Sequence, residues 1–80
     1  MQTIFVFVKC ELGKAYEVAA EAAESLEQVS EVHSVSGDHD LMMKCYLTAE
    51  ADIGHFVIEN LQTLAGVKDT FTLIGFKAFN

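Results

Sequence analysis

The chain has 80 residues, with 12 Asp and Glu against 5 Lys and Arg, for a formal charge of −7. A length of this order makes one domain, 1–80, which buries only about 60% of the surface its unfolded form exposes, so further subunits are the expected source of robustness. The charge opposes phosphate backbones and anionic lipid, no Lys/Arg cluster is present, and no apolar run nears the roughly 20 residues that span a bilayer, which argues against direct nucleic-acid contact and against a membrane role.

Met1-Gln2-Thr3 lacks a basic segment, and the apolar run Ile4 to Val8 is too short for a secretion signal, so a cytoplasmic location is expected. Thr3 to Cys10 is rich in β-branched and aromatic residues and predicts a first strand. From Lys14 to Val29, apolar residues at Ala15, Val18, Ala19, Ala22, Leu26 and Val29 predict an amphipathic helix whose outer side carries Glu17, Glu21 and Glu24. Val32 to Ser36 alternates as a second strand, Gly37-Asp38 turns the chain, and Leu41 to Leu47 forms a third strand with Leu41, Met43, Cys45 and Leu47 on one face. Of Met42 and Met43, one faces the helices and the other is left for a subunit interface.

Thr48 is the expected cap of a second helix marked by Ile53, Phe56, Val57, Leu61 and Leu64 and ended by Gly66. Gly54 lies inside that helix and weakens it by about 1 kcal/mol unless close packing needs the missing side chain. Thr70 to Phe79 is the last strand. The order βαββαβ predicts an α+β, ferredoxin-like fold with both helices on one sheet face. The halves echo each other at an offset of 35: Lys9-Cys10 answers Lys44-Cys45, and Leu26, Val29 and Val32 answer Leu61, Leu64 and Val67.

The strands are apolar on both faces. Ile4, Val6 and Val8 oppose Phe5 and Phe7, while Phe71, Leu73 and Phe79 oppose Ile74, Phe76 and Ala78. Two helices cover one face only, so the other is expected to pair with a second copy as a dimeric α+β barrel. Cys10 and Cys45 are far apart, outside any C-x-x-C pair, and read as reduced core thiols. Two cysteines are too few for an iron–sulfur cluster, and no cofactor is expected. His33, His39 and Asp40 show no metal-ligand spacing, His55 reads as a surface residue, and the first-helix glutamates read as a solvated face, so neither a metal nor a catalytic site is predicted.

The segment Val35-Ser36-Gly37-Asp38-His39-Asp40-Leu41-Met42-Met43-Lys44, followed by Leu64-Ala65-Gly66-Val67-Lys68-Asp69-Thr70-Phe71-Thr72, resembles the effector-binding (RAM) domain of Lrp/AsnC transcription regulators. The likeness spans nearly the whole chain. It implies sheet-paired dimers assembling into octamers or decamers, an amino-acid effector lodged between dimers near the G-D-x-D turn, and co-assembly with full-length regulators. The family's helix-turn-helix is absent from this sequence, which implies a stand-alone form. By the same resemblance, Gly37 lets backbone N–H groups approach the ligand carboxylate, Asp38 and Asp40 receive its ammonium group, Thr70 and Thr72 add hydroxyl contacts, and His39 fills a variable slot that tunes side-chain preference.

Two other readings stay open. A small cofactor-free enzyme on the same barrel would need a polar pocket between sheet and helices, where the inward surface is expected to be wholly apolar and offers no nucleophile–base pair. An ACT-like amino-acid-binding domain shares the topology and would bind near Leu12-Gly13, but its sheets join edge to edge and leave the second apolar face bare.

Overall fold

The alternating run at the N-terminus pairs on both sides and becomes a central strand, which fixes the rest of the sheet. In the computed structural model, which describes residues 1–80, the elements are β1 (Gln2–Cys10), α1 (Ala15–Ser25), β2 (Val29–Ser34), β3 (Leu41–Leu47), α2 (Ile53–Phe56) with a π-helical turn directly after it (Val57–Leu61), and β4 (Val67–Gly75). The four-stranded sheet has the order β2-β3-β1-β4 and every pair is antiparallel. This is the expected ferredoxin-like α+β arrangement.

Register decides which residues share a face. Ile4, Val6 and Val8 pair with Cys45, Met43 and Leu41, and these six are buried beneath the helices together with Leu47, Val18, Ala22 and Leu61. Phe5 and Phe7 pair with Leu73 and Phe71 on the opposite face. The internal echo holds in space: Cys10 and Cys45 are both buried, and Lys9 and Lys44 take the alternate face.

Several boundaries differ from expectation. Helix α1 stops at Ser25, although Leu26 and Val29 continue its spacing, because Val29 instead pairs with Cys45 and begins β2. Both side chains still pack against the core. Burial from a strand edge thus supplies what helix periodicity promised, and β-branched Val29 favours the strand. A register shift between Val29 and Glu31 then resets the β2 pattern.

The cap of α2 is Asp52, not Thr48: the Asp52 carboxylate accepts the His55 N–H at 3.0 Å, whereas the Thr48 carbonyl accepts from Gln2 Nε2 at 2.9 Å and from the Ala51 N–H at 3.1 Å. The missing Gly54 side chain serves no close packing, since a Cβ there would meet only Asp52 Oδ1, at 3.6 Å. Strand β4 begins at Val67 rather than Thr70 and ends at Gly75, so Phe76 to Phe79 lie beyond the sheet. Nor is the inward surface wholly apolar: Thr72 pairs with Val6 and Thr70 with Val8, which puts both threonines on the helix side of β4.

The uncovered face is the decisive consequence. Phe71 is 54% and Leu73 45% exposed, with half-buried Phe5, Phe7 and Met42 beside them. On the helix side, Ile74 of the edge strand is also 53% exposed, so helical cover falls short of β4. The chain exposes 5381 Å² in all. Surface scaling gives about 4,800 Å² for a folded monomer of this mass, an excess to which the open face and the exposed residues after β4 both contribute. No helix is long and apolar enough to cross a membrane.

Candidate functional site

The link between β2 and β3 is a six-residue loop, 35–40, tied down at its far end. The Val35 N–H donates to the Asp40 carbonyl at 3.0 Å, and the Asp40 N–H donates to the Val8 carbonyl at 2.9 Å. Gly37 stands at φ +105, a left-handed conformation that strains any residue with a side chain. The loop is therefore held against the end of β1 rather than projecting as a free hairpin tip.

Two polar contacts complete that hold. Asp40 Oδ2 accepts the Cys10 N–H at 2.8 Å, and Lys9 Nζ donates to the Asp38 carbonyl at 3.0 Å. The first satisfies a strand-end donor that lies beyond the last β1–β3 pair, Val8 with Leu41. The thiol of Cys10 sits beside this carboxylate; burial, and secondarily the Asp40 charge, push its pKa up.

Between the loop and the β1–α1 connection lies an open depression of about 760 Å³. Gly37, Asp38 and Asp40 form one wall; Glu11, Leu12, Gly13 and Tyr16 form another; Lys9 and Lys68 complete it. The far wall is fixed by the Glu11 N–H, which donates to the Gly66 carbonyl at 2.8 Å. Gly66, at φ +97, approaches α1 so closely that a Cβ would stand 3.0 Å from Val18 Cγ2. The depression thus joins the G-D-x-D turn to the Leu12-Gly13 loop, the two places that the sequence offers as alternative amino-acid sites.

The six predicted residues divide into three groups. Gly37, Asp38 and Asp40 share the depression. His39 points to the open sheet face, its ring 5.8 Å from Phe7 and 6.3 Å from Phe71. Thr70 and Thr72 stand apart from the depression in this subunit, and Thr70 Oγ1 accepts from Gln62 Nε2 at 2.8 Å. Sequence reasoning missed Lys9, Lys68 and Tyr16. Their signal was available in one form: with five lysines among twelve acids, where each lysine falls is informative. His33, weighed with His39 and Asp40 as a metal set, instead bonds Glu31 Oε1 at 2.8 Å on β2. That bond, then the Lys44 charge, hold the Glu31 carboxyl below its usual range.

The chain is 32% identical over 76 residues to an uncharacterized HTH-type transcriptional regulator of Pyrococcus furiosus, an alignment covering 92% of this chain and 51% of that protein. The chain therefore spans about half the length of the curated relatives it matches. Among solved structures, TTHA0845 from Thermus thermophilus superposes with a TM-score of 0.88 at 32% identity, covering 100% of this chain and 99% of that one. A regulator from Neisseria meningitidis, NMB0573, solved as an L-Met complex, shares the fold with a TM-score of 0.84 at 21% identity, over 99% of this chain and 52% of that one. The family model described as the Lrp/AsnC ligand binding domain matches residues 3–80, all but the first two positions, and on that match this chain belongs to the Lrp/AsnC ligand-binding domain family.

Proposed function

We propose that this chain binds a free amino acid at the depression beside the Gly37–Asp40 turn and assembles through its open sheet face, modulating full-length Lrp/AsnC regulators rather than catalysing a reaction. The observation that carries the reading is the depression itself, which brings the acidic residues Asp38 and Asp40 and the basic residues Lys9 and Lys68 to one concavity. A zwitterion offers both charges these groups can receive. Support comes from the family, from the L-Met held by a fold neighbour, and from the Thermus chain, which the domain matches over nearly its whole length.

In this reading Asp38 and Asp40 take the ammonium group, and Thr70 and Thr72 reach a ligand from a neighbouring subunit. Pairing of the sheet faces gives a dimer, and further contacts between dimers close the depression into octamers or decamers. An action inside the cytoplasm, upon transcription regulators, follows from the proposed partners.

Sedimentation velocity with each amino acid added in turn tests this. One or more ligands are expected to change the assembly, Asp40→Ala to abolish the response, and Glu24→Ala, on the exposed side of α1, to keep it. A response that survives Asp40→Ala unchanged would place the ligand elsewhere.

A further inference from the structure

The five lysines of this chain are not equivalent. Lys14 Nζ lies 3.6 Å from Glu17, Lys44 Nζ lies 3.8 Å from Glu31 and over the Tyr46 ring, and Lys77 Nζ lies over the ring of Phe79. Lys9 and Lys68 alone have neither a carboxylate nor an aromatic partner, and both line the depression. Three carboxylates, from Glu11, Asp38 and Asp40, line it too, yet none forms an ion pair with either lysine. Lys9 is bound instead to a neutral acceptor, the Asp38 carbonyl, at 3.0 Å, which holds its ammonium group at the turn.

In a chain of charge −7, an anion approaching the surface meets net repulsion almost everywhere. The depression is not net positive, since three carboxylates line it against two lysines. Those two lysines are nevertheless the ones whose ammonium groups no carboxylate or aromatic ring engages and which are open to the carboxylate of a zwitterion. We infer that Lys68, with Lys9 on the same depression, is the receptor for the carboxylate of the bound ligand, and that these two make the site discriminate amino acids from amines and amides of the same side chain. This inference rests on the amino-acid reading of the depression and assigns the carboxylate to side-chain charges, not to the backbone N–H groups near Gly37.

The two possibilities differ in what they can distinguish. Backbone N–H groups donate to a carboxylate and to a carboxamide oxygen alike, whereas an ammonium pair adds charge that only the carboxylate answers. Carboxylate recognition by a charged donor adds about five- to ten-fold in affinity over a neutral acceptor at the same place.

The test uses the full chain and calorimetric titration. The twenty standard L-amino acids are screened first, and the tightest is then compared with its own carboxamide and its own desamino acid. Wild-type protein is expected to bind the amino acid about five-fold or more tightly than the carboxamide. Lys68→Gln is expected to lose that preference, the acid weakening more than the carboxamide until the two bind alike; Lys9→Gln, which keeps a donor for the Asp38 carbonyl, is expected to reduce it in part. Both residues are exposed, and far-ultraviolet circular dichroism checks that each variant folds. Equal affinity of wild type for acid and amide, or a preference that survives in Lys68→Gln, overturns the inference and leaves the amino-acid reading standing. Binding of none of the twenty overturns both.

Discussion

At the scale of single residues, the interior is chemically quiet and the polar turn is not. Cys45 is buried among Ile4 and its neighbours on β3, and burial pushes its thiol up to about 11; Cys10 moves the same way. A raised thiol pKa means the folded state favours the neutral form. The stabilisation is complete below the ordinary thiol value of 9.0 and is lost as pH climbs from there to about 11. Denaturant midpoints recorded across that interval are expected to fall more steeply in the wild type than in Cys45→Val, which has no proton to lose. Parallel slopes would mean the thiol is not held neutral by its surroundings. Alkylating reagents are likewise expected to modify Cys45 only on unfolding.

Asp40 joins this quiet interior to the turn. Its carboxylate is the acceptor for the Cys10 N–H at 2.8 Å, so Asp40→Ala leaves a strand-end donor without its partner. A loss of about 1–2 kcal/mol in unfolding free energy is expected, and Asp40→Asn, which retains an acceptor oxygen, should recover most of it. An unchanged denaturation midpoint in Asp40→Ala would show that water replaces the carboxylate at no cost.

At the scale of elements, glycine positions separate packing from propensity. Gly54 occupies a helical position where an added Cβ meets only Asp52 Oδ1, at an unstrained 3.6 Å, so Gly54→Ala is expected to raise stability by about 0.5–1 kcal/mol. Gly66 is its opposite: with φ +97 and Val18 Cγ2 3.0 Å from an added Cβ, Gly66→Ala is expected to cost more than about 1 kcal/mol. Thermal melts of the two variants should move in opposite directions; a stabilised Gly66→Ala would mean α1 can draw back from the loop.

These elements also show how far the sequence was legible. Strand and helix identities, the shared face of Leu41, Met43, Cys45 and Leu47, and the βαββαβ order all followed from alternation and spacing. The end of α1 did not, because Leu26 and Val29 satisfy helix periodicity while Leu26 becomes the extended cap and strand pairing decides the conformation of Val29. Choosing Asp52 over Thr48 as the cap required knowing where the backbone turns. At the site, Gly37, Asp38 and Asp40 could be read from one short segment, whereas Lys9 and Lys68 come from distant strands that only the β1–β4 pairing brings together.

At the scale of the whole molecule, one sheet, two helices and an uncovered apolar face set the terms. Helical cover reaches the Ile4, Val6 and Val8 side of the sheet, and the Phe5, Phe7, Phe71 and Leu73 side is left without any layer. At about 25 cal/mol per Å², covering several hundred Å² of such surface on each of two copies is a substantial driving force. His39, seated against Phe7 and Phe71, touches that face from the same loop whose aspartates line the depression, so the turn borders both proposed interfaces at once. Charge placed in the face should separate association from folding: Phe71→Asp is expected to yield a folded chain with far weaker self-association.

Sedimentation equilibrium of the wild-type chain at micromolar concentration tests the central claim, that this sheet is completed by a copy of itself. The account predicts a mass of at least twice the 8.8 kDa of one chain, falling toward that single-chain value in Phe71→Asp. A wild-type species of 8.8 kDa, folded and stable with its aromatic face in water, would contradict it.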